Sequence, residues 1–588
     1  MPSSLEQRSL EEGFLRLAQA KELVMKNNNQ SFLQKISAHL TVGPALLIIA
    51  TGLWIATIGN IPLWKALSQL PEGVDAKFFT GFLTAVAALN ISLIAIFAWG
   101  RLLKPVLIFS ILTASITSYF MLNYGIVIDP GMVRNTIQTD VAEASDLVSV
   151  QMLLTVVMLS AVPIAFICLA NVKKTTAVGS LATSIALSAT GLVFSILCIF
   201  LIYQPFSSTM RNHTKMRYLI NPLNTFYSTI KVATNPLERT NAELSKIGQD
   251  AKIITPPAET TAAPILLLVV GETARSESFG LNGYERNTTP QLSQRTDIFS
   301  SKNAWSCGTS TAESLPCMFS HMSREKYFSR KQNYENMLDV LSRAGLSVFW
   351  LDNQSGCKGI CARVANEQFK HQPNNPLCDK EGVCQDAAML DSLEERIKWP
   401  PTNTGDKGKV IVLHQMGSHG PAYYKRSSMQ RKPFQPECKS ASLQQCTQQE
   451  VINAYDNSIV ETDHFINSSI EWLKNKFPST PTALIYVSDH GESLGENNIY
   501  LHGLPYSIAP NVQKNIPWIV WLSESMMASR QKNLSCIAEK NNDRAISHDN
   551  YFHTVLGLMN VQTDVYEKSL DITAPCMKKE SVANITNM

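Results

Sequence analysis

An excess of charge of one sign is missing from this chain. Its 588 residues carry 51 Lys and Arg against 48 Asp and Glu, a net charge of +3, so bulk electrostatics select no class of partner. No internal repeat and no nucleic-acid motif is present, and no nucleic-acid partner is expected. Charge is absent altogether from five stretches, all within the first 210 residues: 40–64, 78–99, 105–125, 147–172 and a core around 181–203. Each is near or above the roughly 20 residues that carry a helix across a bilayer. Five consecutive uncharged blocks would need a very large soluble core to hide in, so they read as five transmembrane spans. The first starts too late and runs too long for a cleavable signal peptide, and more spans follow it.

Lys and Arg set the expected orientation. The N-terminal segment carries Arg8, Arg16, Lys21, Lys26 and Lys35, the turn after span two Arg101 and Lys104, and the turn after span four Lys173 and Lys174. The loop between spans three and four holds Arg134 among Asp129, Asp140, Glu143 and Asp146. This bias places the N-terminus in the cytoplasm and everything after Tyr203 outside. Cysteine usage is an independent test. Cys168 and Cys198 fall within spans, and the other ten lie after residue 300. Eight of those form close pairs, Cys307/Cys317, Cys357/Cys361, Cys378/Cys384 and Cys438/Cys446, and Cys536 and Cys576 remain. Locally paired, even-numbered cysteines fit disulfides in an oxidising compartment. A zinc ribbon would need two tightly spaced pairs, and Cys357/Cys361 alone is close enough. The expected organisation is a cytoplasmic segment (1–37), read as a charged helix, a five-span all-α domain (38–205), an interfacial helix and linker (206–263, its 250–263 stretch a tether) and an external domain (264–588).

That external domain reads as α/β. Short β-branched and aromatic runs at 265–270, 347–351, 410–413, 483–487 and 518–521 alternate with helical stretches such as 449–474, the pattern of a largely parallel sheet flanked by helices. Three runs end in acids or imidazoles: Gly271-Glu272-Thr273-Ala274-Arg275, His414-Gln415-Met416-Gly417-Ser418-His419-Gly420 and Asp489-His490-Gly491-Glu492, with His502-Gly503 just beyond. Ligands collect beyond the carboxyl ends of strands in open α/β sheets, and Asp, Glu and His are zinc ligands. One such tip is weak; three together point to a metal site. A hydroxyl-rich loop, Ser306-Cys307-Gly308-Thr309-Ser310-Thr311-Ala312-Glu313, supplies candidate nucleophiles. A hydroxyl that starts a helix sits where backbone N–H groups favour a phosphoryl group, and metal coordination activates it. The bland reading is a capping cluster with Glu at the third position. Local reasoning does not separate Thr309, Ser310 and Thr311.

These segments, together with 306–320, Asp352-Asn353-Gln354-Ser355-Gly356-Cys357-Lys358-Gly359, 414–423 and 488–503, resemble those of the lipid A phosphoethanolamine transferases. That family includes the mobile colistin-resistance enzymes and belongs to the sulfatase-like branch of the alkaline phosphatase superfamily. The resemblance covers nearly the whole chain. It implies a zinc held by Glu272, Thr311, Asp489 and His490, with Thr311 the nucleophile that accepts phosphoethanolamine. It implies that His419 and His502 line the substrate phosphate or a second, weaker zinc, with a histidine such as His419 supplying a proton. Lys358 and Gln354 would contact the donor headgroup, Lys358 also steadying charge on phosphorus. His414 and Glu492 match the motif and suit support of the ligands. The loop 131–146, with Asn135, Gln138, Thr139, Asp140 and Glu143, resembles one that seats the donor in this family; plain solvated surface is the equal alternative. The family often has Asn where this chain has Gln354 and an aromatic where it has Glu313.

The implied reaction takes phosphoethanolamine from phosphatidylethanolamine to a phosphate of lipid A in the Gram-negative inner membrane, by ping-pong steps and as a monomer. The added ammonium would reduce outer-membrane negative charge and give polymyxin and cationic-peptide resistance. Competing readings are transfer to another envelope glycan, a lipoteichoic-acid-synthase-like glycerophosphate transferase, a sulfatase and a metal-binding membrane sensor. A sulfatase would need a Cys or Ser in place of Thr311.

Overall fold

The computed structural model describes residues 41–576 apart from 72, 140–143, 146, 236–243, 255–261, 370–374, 379–383 and 398–406. The N-terminal helix expected at 1–37, residues 255–261 of the Pro/Thr/Ala-rich tether, and Asp140, Glu143 and Asp146 lie outside the described residues. The chain divides into two units, Met1–Leu122 with Val150–Phe226, and Asn123–Ser149 with Tyr227–Met588.

The first unit holds the five apolar helices, Pro44–Ser68, Ala76–Phe97, Gly100–Tyr124, Val150–Leu169 and Ala177–Leu201, each long and apolar enough to cross a membrane. Small residues let the second and fifth approach closely. A Cβ on Gly191 would fall 2.8 Å from the Ala88 carbonyl, and Ser195 Oγ donates to the Ala85 carbonyl at 2.9 Å. A buried amide knot ties the first and third spans to the segment after the fifth. Asn60 Nδ2 donates to Asn221 O and Asn221 N to Asn60 Oδ1, each at 2.8 Å, and Thr117 Oγ1 donates to Asn221 Oδ1 at 2.8 Å. In an apolar surrounding such amides need one another, because no water is there to replace a lost partner.

The second unit is built on eight strands: β1 Ile265–Gly271, β2 Ile298–Trp305, β3 Ser347–Asp352, β4 Ala365–Gln368, β5 Lys409–His414, β6 Thr482–Ser488, β7 Asn515–Leu522 and β8 Ile546–Ser547. Across the sheet they run β8-β2-β7-β6-β1-β5-β3-β4. All neighbours are parallel except β7, which is antiparallel to β6 and to β2. β1 and β6 are buried along their whole length, which is why they read as continuous apolar runs and do not alternate. Register decides the chemistry. Ser488 pairs with Gly271, His414 with Val270 and Asp352 with His414. Four strands therefore end level, and the residues just past them share one edge of the sheet. Helix Gln448–Lys476 packs against this scaffold. A capping box of Thr447 and Glu450 starts it.

The stretch read as a tether begins as structure: Lys252–Ile253 pairs antiparallel with Val561–Gln562. The five expected disulfides are all made: Cys307–Cys317, Cys357–Cys361, Cys378–Cys384, Cys438–Cys446 and Cys536–Cys576. Cys168 and Cys198 are free. Replacing Cys307 and Cys317 together by Ser is expected to lower the stability of the second unit by about 2–4 kcal/mol, the usual contribution of a native bridge. The guanidinium midpoint of the full-length protein in detergent reads this out. An unchanged midpoint would remove that bridge from the stability of the unit.

Candidate active site

Glu272 follows β1, and Asp489 and His490 follow β6. All three are buried, and one ligand atom from each lies within 4.8 Å of the others. Backbone turns fix them. Asp489 N donates to Gly271 O at 2.9 Å, while Thr273 N and His490 N donate to Asp489 Oδ1 at 3.1 and 2.8 Å. Thr273 takes a left-handed φ of 59°, an uncommon conformation for a β-branched residue and one that clusters at functional sites. His490 Nδ1 meets Gly491 O at 2.9 Å, so Nδ1 carries the proton and Nε2 presents a lone pair. That Nε2 lies 3.3 Å from Asp489 Oδ2 and 3.6 Å from Glu272 Oε1.

The structure separates the three hydroxyls that the sequence leaves open. Thr311 is the first residue of helix Thr311–Met318, with Ser310 as its extended N-cap. Its Oγ1 lies 3.1 Å from Glu272 Oε2 and 3.5 Å from His490 Nε2. Thr309 Oγ1 instead donates to Leu504 O at 2.6 Å, and Ser310 makes no side-chain cap bond. The capping-box alternative is therefore not realised, and Glu313 pairs with Arg134.

Burial dominates the electrostatics. It pushes the Asp489 carboxyl up to about 6, and burial followed by the nearby Asp489 charge raises Glu272. Burial, with His502 nearby, lowers His490 to about 4, so its imidazole is neutral at pH 7. Two carboxyls that resist ionising together, beside a neutral imidazole lone pair and a hydroxyl, are what a divalent cation relieves. The residues present fit a metal of the zinc type.

The surrounding groups hold this arrangement. His548 lies under the Thr311 loop, where Cys307 N donates to its Nδ1 at 3.0 Å and its Nε2 donates to Ser488 O at 3.0 Å. Burial keeps it neutral, near 3. Ser314 Oγ donates to Asp489 O from the same helix. Tyr455, on helix Gln448–Lys476, clamps the β1 tip by donating to Thr273 O at 2.8 Å and accepting from Arg275 N at 3.0 Å. Asp386 accepts from Met416 N at 2.8 Å, Gly417 N at 2.9 Å and Asn353 Nδ2 at 2.8 Å, joining the β3 and β5 tips. Gly417 is obligatory, with φ of +52° and a virtual Cβ only 2.6 Å from Glu272 O. None of His548, Tyr455 and Asp386 follows an apolar strand, so no polar strand tip marks them in the sequence.

The remaining expected residues gather at the same edge. His414 Nδ1 meets Asp352 Oδ2 at 2.9 Å behind the ligands, a supporting position. The His502 ring lies 4.2 Å from that of His490 and 5.8 Å from that of His419, centroid to centroid. His502 Nδ1 meets Glu492 Oε2 at 2.8 Å. Burial pushes Glu492 up to about 8, and Tyr423 Oη donates to its other oxygen. Gln354 Nε2 donates to Glu272 Oε2 at 3.2 Å, so its amide also orients a candidate ligand. Lys358 Nζ reaches Ser355 Oγ at 2.8 Å and Gln138 O at 3.3 Å. Asn135 lies beside Gly503.

A mostly parallel sheet with acid and imidazole at level strand tips, facing a hydroxyl at a helix start, defines a catalytic domain of the sulfatase and alkaline phosphatase kind. Comparison agrees and is more specific. The family described as Sulfatase matches residues 264–561, and the family described as Phosphoethanolamine transferase EptA/EptB matches residues 86–237. The chain is 38% identical over 549 residues to phosphoethanolamine transferase EptA of Escherichia coli (strain K12), covering 90% of this chain and 96% of that one. It is 34% identical over 534 residues to phosphatidylethanolamine transferase Mcr-1 of Escherichia coli, covering 89% and 96%. The structure of the integral membrane lipooligosaccharide phosphoethanolamine transferase A from Neisseria meningitidis superposes with a TM-score of 0.84 at 32% identity, covering 92% of this chain and 100% of that one. The chain belongs to the phosphoethanolamine transferase family, and phosphoethanolamine transfer is its class of reaction.

Proposed function

We propose that this enzyme moves phosphoethanolamine from phosphatidylethanolamine to a phosphate of lipid A through an ester on Thr311, at a zinc held by Glu272, Thr311, Asp489 and His490. The observation that carries this reading is the position of Thr311 Oγ1, at the start of a helix and within 3.5 Å of both Glu272 and His490. Zinc bound there supplies Lewis acidity that favours the deprotonated threonine oxygen. In the first half-reaction Thr311 Oγ bonds to phosphorus as the bond to the diacylglycerol oxygen breaks. The threonine proton is given up, and the departing oxygen receives one. His502, 4.2 Å from His490 ring to ring, and His419, 5.8 Å from His502, are the imidazoles that would carry that proton, with Glu492 orienting His502. In the second half a lipid A phosphate oxygen attacks phosphorus, and Thr311 Oγ leaves and regains its proton. Backbone N–H groups at the start of the Thr311 helix and the Lys358 ammonium favour the anionic phosphoryl group. A second, weaker zinc at His419 and His502 belongs to the same reading. So do the inner-membrane location, the external catalytic domain and the polymyxin resistance that the product's added ammonium would confer. Incubation of the purified enzyme with phosphatidylethanolamine and lipid A should yield lipid A carrying phosphoethanolamine. Transfer of glycerophosphate from phosphatidylglycerol in its place would overturn the donor assignment.

Zinc affinity should depend on pH with a definite sign. In the metal-free site Asp489 holds its proton below about 6, and Glu272 is raised as well. Zinc must displace those protons, so affinity falls on acidification, by about tenfold or more per pH unit below about 6. Titration of chelator-stripped protein at about pH 5 and about pH 7 measures it. Equal affinities at the two would remove Asp489 from the ligand set.

A further inference from the structure

The segment between spans three and four contributes a short helix, Pro130–Gln138, that belongs by its packing to the second unit. Asp129 caps it by accepting from Met132 N at 2.8 Å. The helix touches three parts of the active site. Near its start, a Cβ on Gly131 would fall 2.7 Å from Glu313 Oε1. One turn on, Arg134 Nη1 lies 3.3 Å from the same oxygen, both side chains being about one-fifth exposed. In its middle, Met132 and Asn135 border Gly503, next to His502. At its end, Gln138 O accepts from Lys358 Nζ at 3.3 Å. Glu313 stands two residues after Thr311, on the same helix. A largely buried carboxylate there is costly without its cation.

We infer that Arg134 and Glu313 are positioning residues, whose ion pair clasps helix Pro130–Gln138 onto the Thr311 helix and so sets where Asn135 and Lys358 meet the donor's ethanolamine phosphate headgroup. This rests on phosphatidylethanolamine being the donor. The clasp couples two surfaces that the headgroup must lie between. Losing it displaces the wall without touching the metal ligands or Thr311. The effect belongs in donor binding and not in the bond-making step.

The test uses the full-length enzyme in mixed micelles with phosphatidylethanolamine and lipid A. Arg134→Gln and Glu313→Gln should each raise the donor KM by about tenfold while kcat and the acceptor KM stay within about twofold. The charge-swapped double, Arg134→Glu with Glu313→Arg, should recover to within about threefold of the unaltered enzyme, and the double Gln variant should cost no more than either single. Donor KM unchanged in both singles, or additive losses in the double Gln variant, would overturn the clasp. Amide exchange over residues 130–138 judges it without any substrate: exchange should accelerate in both singles, and unaltered exchange in both rejects it. If the unaltered enzyme releases no diacylglycerol, the donor reading fails, while the exchange measurement still decides the clasp.

Discussion

Exchanging Asp489 or His490 for Ala should remove bound zinc and, with it, turnover. The expected loss of transfer is about a thousandfold or more, because a site with one ligand deleted weakens sharply and the nucleophile loses what activates it. The geometry makes this a strong expectation. Asp489 Oδ1 also accepts two backbone N–H groups, so its deletion loosens the turn that aims His490. His490→Ala is the cleaner variant, since its ring makes one backbone contact, to the carbonyl of its neighbour Gly491. Elemental analysis of purified variants measures zinc, and lipid chromatography measures transfer. Native zinc content in both variants would move the metal elsewhere.

Thr311→Ala should lose transfer to a similar extent, at least about a thousandfold, but should weaken zinc less than the Asp489 and His490 variants do, because a hydroxyl is a poorer ligand than a carboxylate or imidazole and Glu272, Asp489 and His490 remain. Two lipid substrates are too bulky to meet readily in one site, so a small group carried by the enzyme is favoured, and Thr311 is the hydroxyl that the helix start presents. Thr309 is engaged with Leu504 O and does not substitute for it. Thr311→Ser should keep measurable turnover, since the hydroxyl stays. Its shortfall reports the rotamer restriction that the lost methyl provided. A Thr311→Ala enzyme that transfers at the native rate would contradict the assignment.

Much of this site is written as strand tips. Glu272, His414, Asp489 and His490 are each preceded by a buried apolar run, and parallel register brings those runs level, so local pattern alone points to them. Strands β2, β4 and β8 are different. Ala365–Gln368 is an exposed polar edge, Ile546–Ser547 is two residues long, and Ile298–Trp305 mixes Ser, Lys and Asn with its apolar residues. None carries a periodic signal strong enough to read. The groups that position the ligands are equally silent. His548 lies more than 200 residues from the Cys307 amide it accepts from, and Asp386 gathers donors from two separate strand tips. Such pairings are set by tertiary packing, which no short window of sequence contains. The choice among Thr309, Ser310 and Thr311 is open in the sequence for the same reason. It turns on where the helix begins, and helix boundaries are the least legible feature of a sequence. The loop 131–146 reads equally as a donor-seating loop or as solvated surface, and neither reading contains the helix that its first half forms against the Thr311 helix. Its ion pair to that helix, Arg134 with Glu313, joins residues 179 apart.

The central claim is that phosphoethanolamine rests on Thr311 between its two lipids. Incubation of the enzyme with phosphatidylethanolamine and no acceptor, followed by peptide mass spectrometry, tests this directly. The peptide spanning Cys307–Cys317 should carry phosphoethanolamine on Thr311, and later addition of lipid A should discharge it. An unmodified Thr311 in enzyme that still releases diacylglycerol would contradict the account.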